Sequence, residues 1–90
     1  MVEKTIIVQN RAGIHARPAA LIAQTANKFD SDIRIINAAL KLAVNAKSIM
    51  GVITLAAGYN ITLTVTAEGA DESQAVEAII HLFEIKFDED

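Results

Sequence analysis

The chain contains no cysteine and no tryptophan. Without thiols it has neither a disulfide framework nor a thiolate metal site, so the fold must rest on its hydrophobic core. Aromatic residues make up 4% of the sequence and there is one proline, which leaves little for a base-stacking surface and nothing for a proline-rich tract. Excess positive charge is also missing: eight Lys and Arg stand against eleven Asp and Glu, for a net charge of -3. The basic residues Lys4, Arg11, Arg17, Lys28, Arg34, Lys41, Lys47 and Lys86 form no cationic block, which argues against nucleic-acid binding. Arg11, Arg17 and Lys47 could still meet in the fold as a small patch for an acidic partner. No apolar run approaches the ~20 residues of a membrane-spanning helix. Met1–Gln9 carries charge within its apolar stretch and no cleavage pattern, so the expectation is a cytoplasmic protein with no membrane insertion.

What the chain does have is apolar residues, 52% of ninety, which excludes a disordered chain. The length accommodates one core, so residues 1–90 are expected to form a single domain. No repeat or linker divides it.

Thr5–Gln9 is β-branched and short, and reads as an opening strand. From Ala16 to Phe29 helix formers dominate, with Pro18, Ile22, Ala26 and Phe29 marking one face. Ile33–Ile36 and roughly Leu40–Val44 are β-rich and could pair as a hairpin, although Ala38-Ala39-Leu40 could equally make a helical turn. Ser48 is placed to N-cap a short helix over Ile49–Leu55 that Gly58 ends. Asn60, tolerant of positive φ, sits in the turn that follows. Ile61–Ala67 alternates, with Ile61, Leu63, Val65 and Ala67 on one face and three threonines on the other. Asp71 with Gln74 resembles a capping box before a last helix striped by Val76, Ile80, Phe83 and Phe87. The order is β-α-β-β-α-β-α, expected as a two-layer α+β domain with helices on one sheet face.

The chemistry concentrates in Gly13-Ile14-His15-Ala16-Arg17-Pro18-Ala19-Ala20. If His15 is the N-cap, the N–H groups of Ala16 and Arg17 lie near the imidazole at the positive end of the helix dipole. Pro18 then falls in the first turn, where no N–H is required. Such an end binds a phosphate without a metal. An exposed arginine there costs roughly 0.3–1 kcal/mol against the dipole, a cost that a phosphate turns into charge-assisted hydrogen bonds. By placement alone His15 is either a capping residue or a nucleophile. Ser48 is by the same standard a simple N-cap, worth about 1 kcal/mol. His81 lies off its helix stripe, and Asp88-Glu89-Asp90 reads as a solvated tail.

Three segments together resemble the HPr family of histidine-containing phosphocarriers from the bacterial phosphoenolpyruvate-dependent sugar phosphotransferase system. They are Gly13–Ala19, Val44-Asn45-Ala46-Lys47-Ser48-Ile49-Met50-Gly51, and Ala67-Glu68-Gly69-Ala70-Asp71-Glu72. Order and length agree over the whole chain. The resemblance implies a four-stranded antiparallel sheet in the order 1-4-2-3 with three helices on one face, an open-faced sandwich. It implies that enzyme I phosphorylates His15 on Nδ1, that Arg17 and the backbone of Ala16 and Arg17 support the phosphoryl group, and that a sugar-specific enzyme IIA receives it. The protein is then a stoichiometric relay rather than an enzyme, with no cofactor and no metal, and is most simply a monomer. Ser48 becomes a regulatory phosphorylation site, with HPr kinase/phosphorylase and a catabolite regulator as its partners. Ala20, Lys47, Ile49, Met50 and Gly51 become the partner interface, where Met suits a surface that fits several partners in turn.

Two departures from the family pattern are visible. Arg34–Ala43 is longer and more apolar than the usual hairpin, and Ala12 replaces a small polar side chain. Two rivals frame the reading. One is a regulatory HPr-like protein controlled through Ser48, against which intact His15 and Arg17 argue. The other is a small RNA-binding module, which needs basic and aromatic residues where Thr62, Thr64 and Thr66 stand.

Overall fold

The alternating segment of the sequence lies inside the sheet. In the computed structural model, which describes residues 1–88, β4 (Thr62–Glu68) is flanked by β1 (Val2–Ile7) and β2 (Asp32–Asn37), and β3 (Leu42–Asn45) closes the far edge. All three pairings are antiparallel, giving the order β1-β4-β2-β3. Leu63, Val65 and Ala67 are buried. They sit opposite Ile6, Lys4 and Val2 of β1, and Val65 and Ala67 also face Ile35 and Ile33 of β2. Helices α1 (Ala16–Ala26), α2 (Ile49–Thr54) and α3 (Glu72–Glu84) complete the element order. Their buried residues, among them Ile22, Val52, Val76, Ile79 and Phe83, join the inner sheet residues in one core.

The open face carries Glu3, Thr5, Thr62, Thr64, Asp32 and Arg34, the last two joined at 3.4 Å. Among the described residues this face carries neither the aromatic platform nor the cationic stripe on which an RNA-binding sheet relies. Lys4 points to the helix side of the edge strand, an inward-facing charge of the kind that discourages edge-to-edge pairing.

Several boundaries differ from the sequence expectation. The first strand runs over Val2–Ile7 rather than Thr5–Gln9, because Val8 leaves the ladder to exchange hydrogen bonds with Asn60 and Ile61. Helix α1 ends at Ala26, not near Phe29: the Asn27 side chain caps the Ala23 carbonyl, and Lys28 and Phe29 close tighter turns on Thr25 and Ala26. Both readings of the apolar 34–43 segment hold, since a 3-10 turn at Ala38–Leu40 links two strands and Lys41 takes a left-handed φ of 55° to restart the ladder. Helix α2 ends with Ala56 at a φ of 52°, before Gly58 is reached.

The capping box at α3 does not form. Asp71 stands at the N-cap position without capping its own helix. Its carboxylate instead accepts from the backbone of Asp30 and Ser31 and from Ser31 Oγ at 2.5 Å. Phe87 belongs to a 3-10 turn at Lys86–Asp88 rather than to the α3 stripe, although its ring is fully buried. His81 and Asp88 are exposed, while Glu89 and Asp90 of the expected tail lie outside the described residues.

Candidate functional site

His15 is the N-cap of α1, with extended backbone (φ -107°, ψ -163°) and an exposed side chain that makes no capping hydrogen bond to its own helix. The first bond of the helix ladder runs from Ala19 N–H to the His15 carbonyl. The N–H groups of Ala16 and Arg17 therefore precede the ladder, and Pro18 carries none. No acidic residue occupies the first turn, so the helix itself supplies no negative charge against its positive end. An imidazole beside that end is well placed to hold an anionic group.

The approach to His15 is built by contacts distant in sequence. Asn10 Nδ2 donates to the Gly13 carbonyl at 2.7 Å, and Gly13 N–H returns to the Asn10 carbonyl at 3.0 Å. Ile14 N–H then donates to the Ala57 carbonyl at 2.8 Å. Gly13 is a requirement of this loop: its φ is +72°, and a Cβ there would stand 2.8 Å from the Ala57 oxygen and 2.9 Å from Gly58 Cα.

Helices α1 and α2 lie side by side in opposite directions. The end of α2 meets the start of α1 through Ile14 and Ala57, whereas the start of α2 meets the end of α1 through Lys47. Asn27 Nδ2 donates to the Lys47 carbonyl at 3.1 Å, and Lys47 Nζ donates to the Phe29 carbonyl at 2.8 Å. His15 and Ser48 thus occupy opposite ends of the helix pair, separated by about 16 Å of α1 at 1.5 Å per residue. Lys47 belongs to the Ser48 end and Arg17 to the His15 end, so the basic patch anticipated from Arg11, Arg17 and Lys47 does not assemble as one cluster.

Ser48 does N-cap α2: its Oγ accepts from Gly51 N–H at 3.0 Å, with extended backbone at φ -106°. A side chain at Gly51 would press on the Asn45 carbonyl and on Ser48, each 3.3 Å from where its Cβ would stand. Around the Ser48 end, Met50 is 70% exposed and Ile49 43%, and Lys47 and Gly51 are half-buried, as is Ala20 of α1. Met50 and Ile49 are large apolar side chains left in water, a surface suited to transient docking.

Two features were not legible in the sequence. One is the Ala57–Gly58 seat under the His15 loop. The other is the hydrogen bond from Arg17 Nη1 to the Phe87 carbonyl at 2.5 Å; burial of Phe87 was expected, but not the turn that directs its carbonyl toward α1. Among the described residues no group of three or more His, Asp or Glu side chains is arranged to hold a metal, and no helix is long and apolar enough to cross a membrane.

The sequence family described as "PTS HPr component phosphorylation site" matches residues 2–84. The phosphocarrier protein HPr of Treponema pallidum is 53% identical over 90 residues, all of both chains. The HPr-like protein Crh of Halalkalibacterium halodurans is 50% identical over 84 residues, covering 93% of this chain and 98% of its own. Among solved structures, HPr-C-His from Thermoanaerobacter tengcongensis superposes with a TM-score of 0.93 at 46% identity, covering 100% of this chain and 99% of its own.

Proposed function

This chain belongs to the HPr family of phosphotransferase-system phosphocarriers, and from that premise we propose that its phosphoryl group is carried on His15, at the head of α1. The observation that supports this reading is the exposed, non-capping imidazole at the N-terminus of α1, with no acidic residue in its first turn. Nδ1 attacks phosphorus, the donor–phosphorus bond breaks as the Nδ1–phosphorus bond forms, and the same sequence in reverse sense delivers the group to the next acceptor. Backbone N–H groups of Ala16 and Arg17 and the Arg17 guanidinium take the phosphoryl oxygens. A phosphoramidate suits a relay because it remains reactive enough to be handed on.

Enzyme I is the donor in this reading and a sugar-specific enzyme IIA the acceptor. Both dock over the surface of Ala20, Lys47, Ile49, Met50 and Gly51, which extends from the Ser48 end of the helix pair toward His15. Phosphorylation of Ser48 by a kinase/phosphorylase then acts on partners rather than on His15, from the far end of the helix pair. It adds about −1.5 to −2 charges beside the docking surface, repelling an acidic partner and attracting a regulator with basic groups. The Crh relative makes a regulatory role the second reading, and His15 and Arg17 are what a purely regulatory protein would have no use for. We further infer that residues 1–90 act as one cytoplasmic phosphocarrier domain and as a monomer, with the inward-facing Lys4 guarding the free β1 edge.

Incubation with enzyme I, Mg²⁺ and labelled phosphoenolpyruvate tests the relay. Acid-labile label on the wild type that disappears in His15→Ala supports it. Absence of label from a competent enzyme I contradicts it and moves the weight to Ser48.

A further inference from the structure

The C-terminal turn has a backbone that needs explaining. Lys86, Phe87 and Asp88 have φ values of 54°, 54° and 59°, three successive L residues in a region that such residues rarely enter. A conformation of this kind persists where its surroundings over-determine it. Here the Phe87 ring is fully buried and packs edge-on against Phe83, with centroids 4.9 Å apart at 71°. Asp88 N–H closes the turn on the Ile85 carbonyl at 3.0 Å. In a continuing helix the Phe87 carbonyl would lie along the helix axis. In this turn it meets Arg17 Nη1 at the start of α1 instead, 70 residues away in sequence.

We propose that Phe87 is a positioning residue for phosphoryl transfer: its ring locks the left-handed turn, and its carbonyl holds the Arg17 guanidinium at the head of α1. The proposal rests on the reading of His15 as the phosphoryl acceptor. A guanidinium carries five N–H donors in a fixed fork, and the carbonyl engages one of its nitrogens. The carbonyl is neutral, so this contact brings no negative charge of its own to the head of α1. The rotamer freedom of a long side chain is then given up on folding rather than at the moment of transfer. The buried anchor and the reacting group are thereby coupled through one backbone oxygen.

The experiment uses the full chain as wild type, Phe87→Ala and Phe87→Leu, each with Arg17 intact and with Arg17→Ala, and measures kcat and KM for enzyme I with this protein as substrate. Thermal melts establish that each variant is folded at the assay temperature, and Asp88→Pro, which opens the turn while keeping the buried ring, serves where Phe87→Ala does not fold. The expected result is a loss of about tenfold in kcat for Phe87→Ala with little change in KM, recovery in Phe87→Leu, and no further loss when Arg17 is already Ala. The Arg17 Nε–H signal in a ¹⁵N spectrum, which needs no enzyme I, should shift toward a solvent-exposed position in Phe87→Ala. Equal transfer by wild type and the turn variants, an unchanged Arg17 signal, or the same loss with and without Arg17 overturns the proposal alone. A wild type that accepts no phosphoryl group overturns the relay reading along with it.

Discussion

The Ile14 amide donates to the Ala57 carbonyl at 2.8 Å, tying the residue before His15 to the loop that follows α2. His15 is therefore held at the start of α1 by a contact 43 residues away rather than by its own helix alone, as the positions of Ile14 and Ala57 in the chain make plain. The loop has room for this only because Gly13 has no side chain.

Gly13→Ala should accordingly cost stability and disturb the site together. Its φ of +72° and the 2.8 Å approach of a Cβ to the Ala57 oxygen add strain of about 1–3 kcal/mol. Urea unfolding checks the stability loss, and amide spectra of Ala16 and Arg17 check the displacement. A variant as stable as wild type would contradict the tight seat.

Arg17→Lys should slow transfer while leaving the fold intact. Losing a charge-assisted fork worth about 1.5–3 kcal/mol lowers the rate by roughly 10- to 100-fold. Single-turnover transfer from phosphorylated enzyme I measures this directly. Retention of most of the rate by Lys would mean that charge alone suffices.

Ser48 carries two separable roles. Ser48→Ala removes the acceptor for Gly51 N–H and should lower stability by about 1 kcal/mol. Ser48→Asp keeps a capping oxygen and should restore that stability, yet slow transfer from enzyme I through a raised KM. Transfer by Ser48→Asp at the wild-type KM would remove Ser48 from the docking surface.

Asp71 gives the fold an acid limit. Hydrogen bonds from Ser31 Oγ first, then from the Asp30 and Ser31 backbone, hold its carboxyl below the usual 3.8. Glu72 is held below 4.5 by the Gly69 N–H and the N-terminal ammonium. A carboxyl depressed in the folded state stabilises it at pH values above the unfolded value, and that contribution fades as pH falls through the folded value. Stability should therefore drop on acidification below about pH 4.5, and Asp71→Asn should flatten the decline. Parallel pH curves for the two proteins would show that Asp71 contributes nothing there.

These relationships divide what the sequence discloses from what it hides. His15 and Ser48 as N-caps, the alternation of β4 and the apolar stripe of α3 depend on neighbours within a few residues, and local patterns report them. The strand order followed from the family resemblance, because no spacing rule chooses which strands become neighbours. Asp71 looked like a cap by position, but Ser31 and Asp30 offered its carboxylate three donors from across the fold. The end of α1 depended on Asn27, whose side chain bridges to Lys47, and Phe87 lay one turn beyond the helix that its spacing suggested. For Asp71 the cause is a long-range partner that outcompetes the local one, whereas α1 and α2 end early through tight local turns at Asn27–Phe29 and Ala56.

The phosphoryl group is expected on His15, against the first turn of α1. A ¹H–¹⁵N spectrum before and after phosphorylation by enzyme I, with ³¹P–¹⁵N coupling to assign the nitrogen, tests it most directly. The expected result is phosphorus bonded to Nδ1 of His15, with the largest amide shifts at Ala16 and Arg17. Phosphorus on another residue, or on His15 with those two amides unmoved, would contradict it.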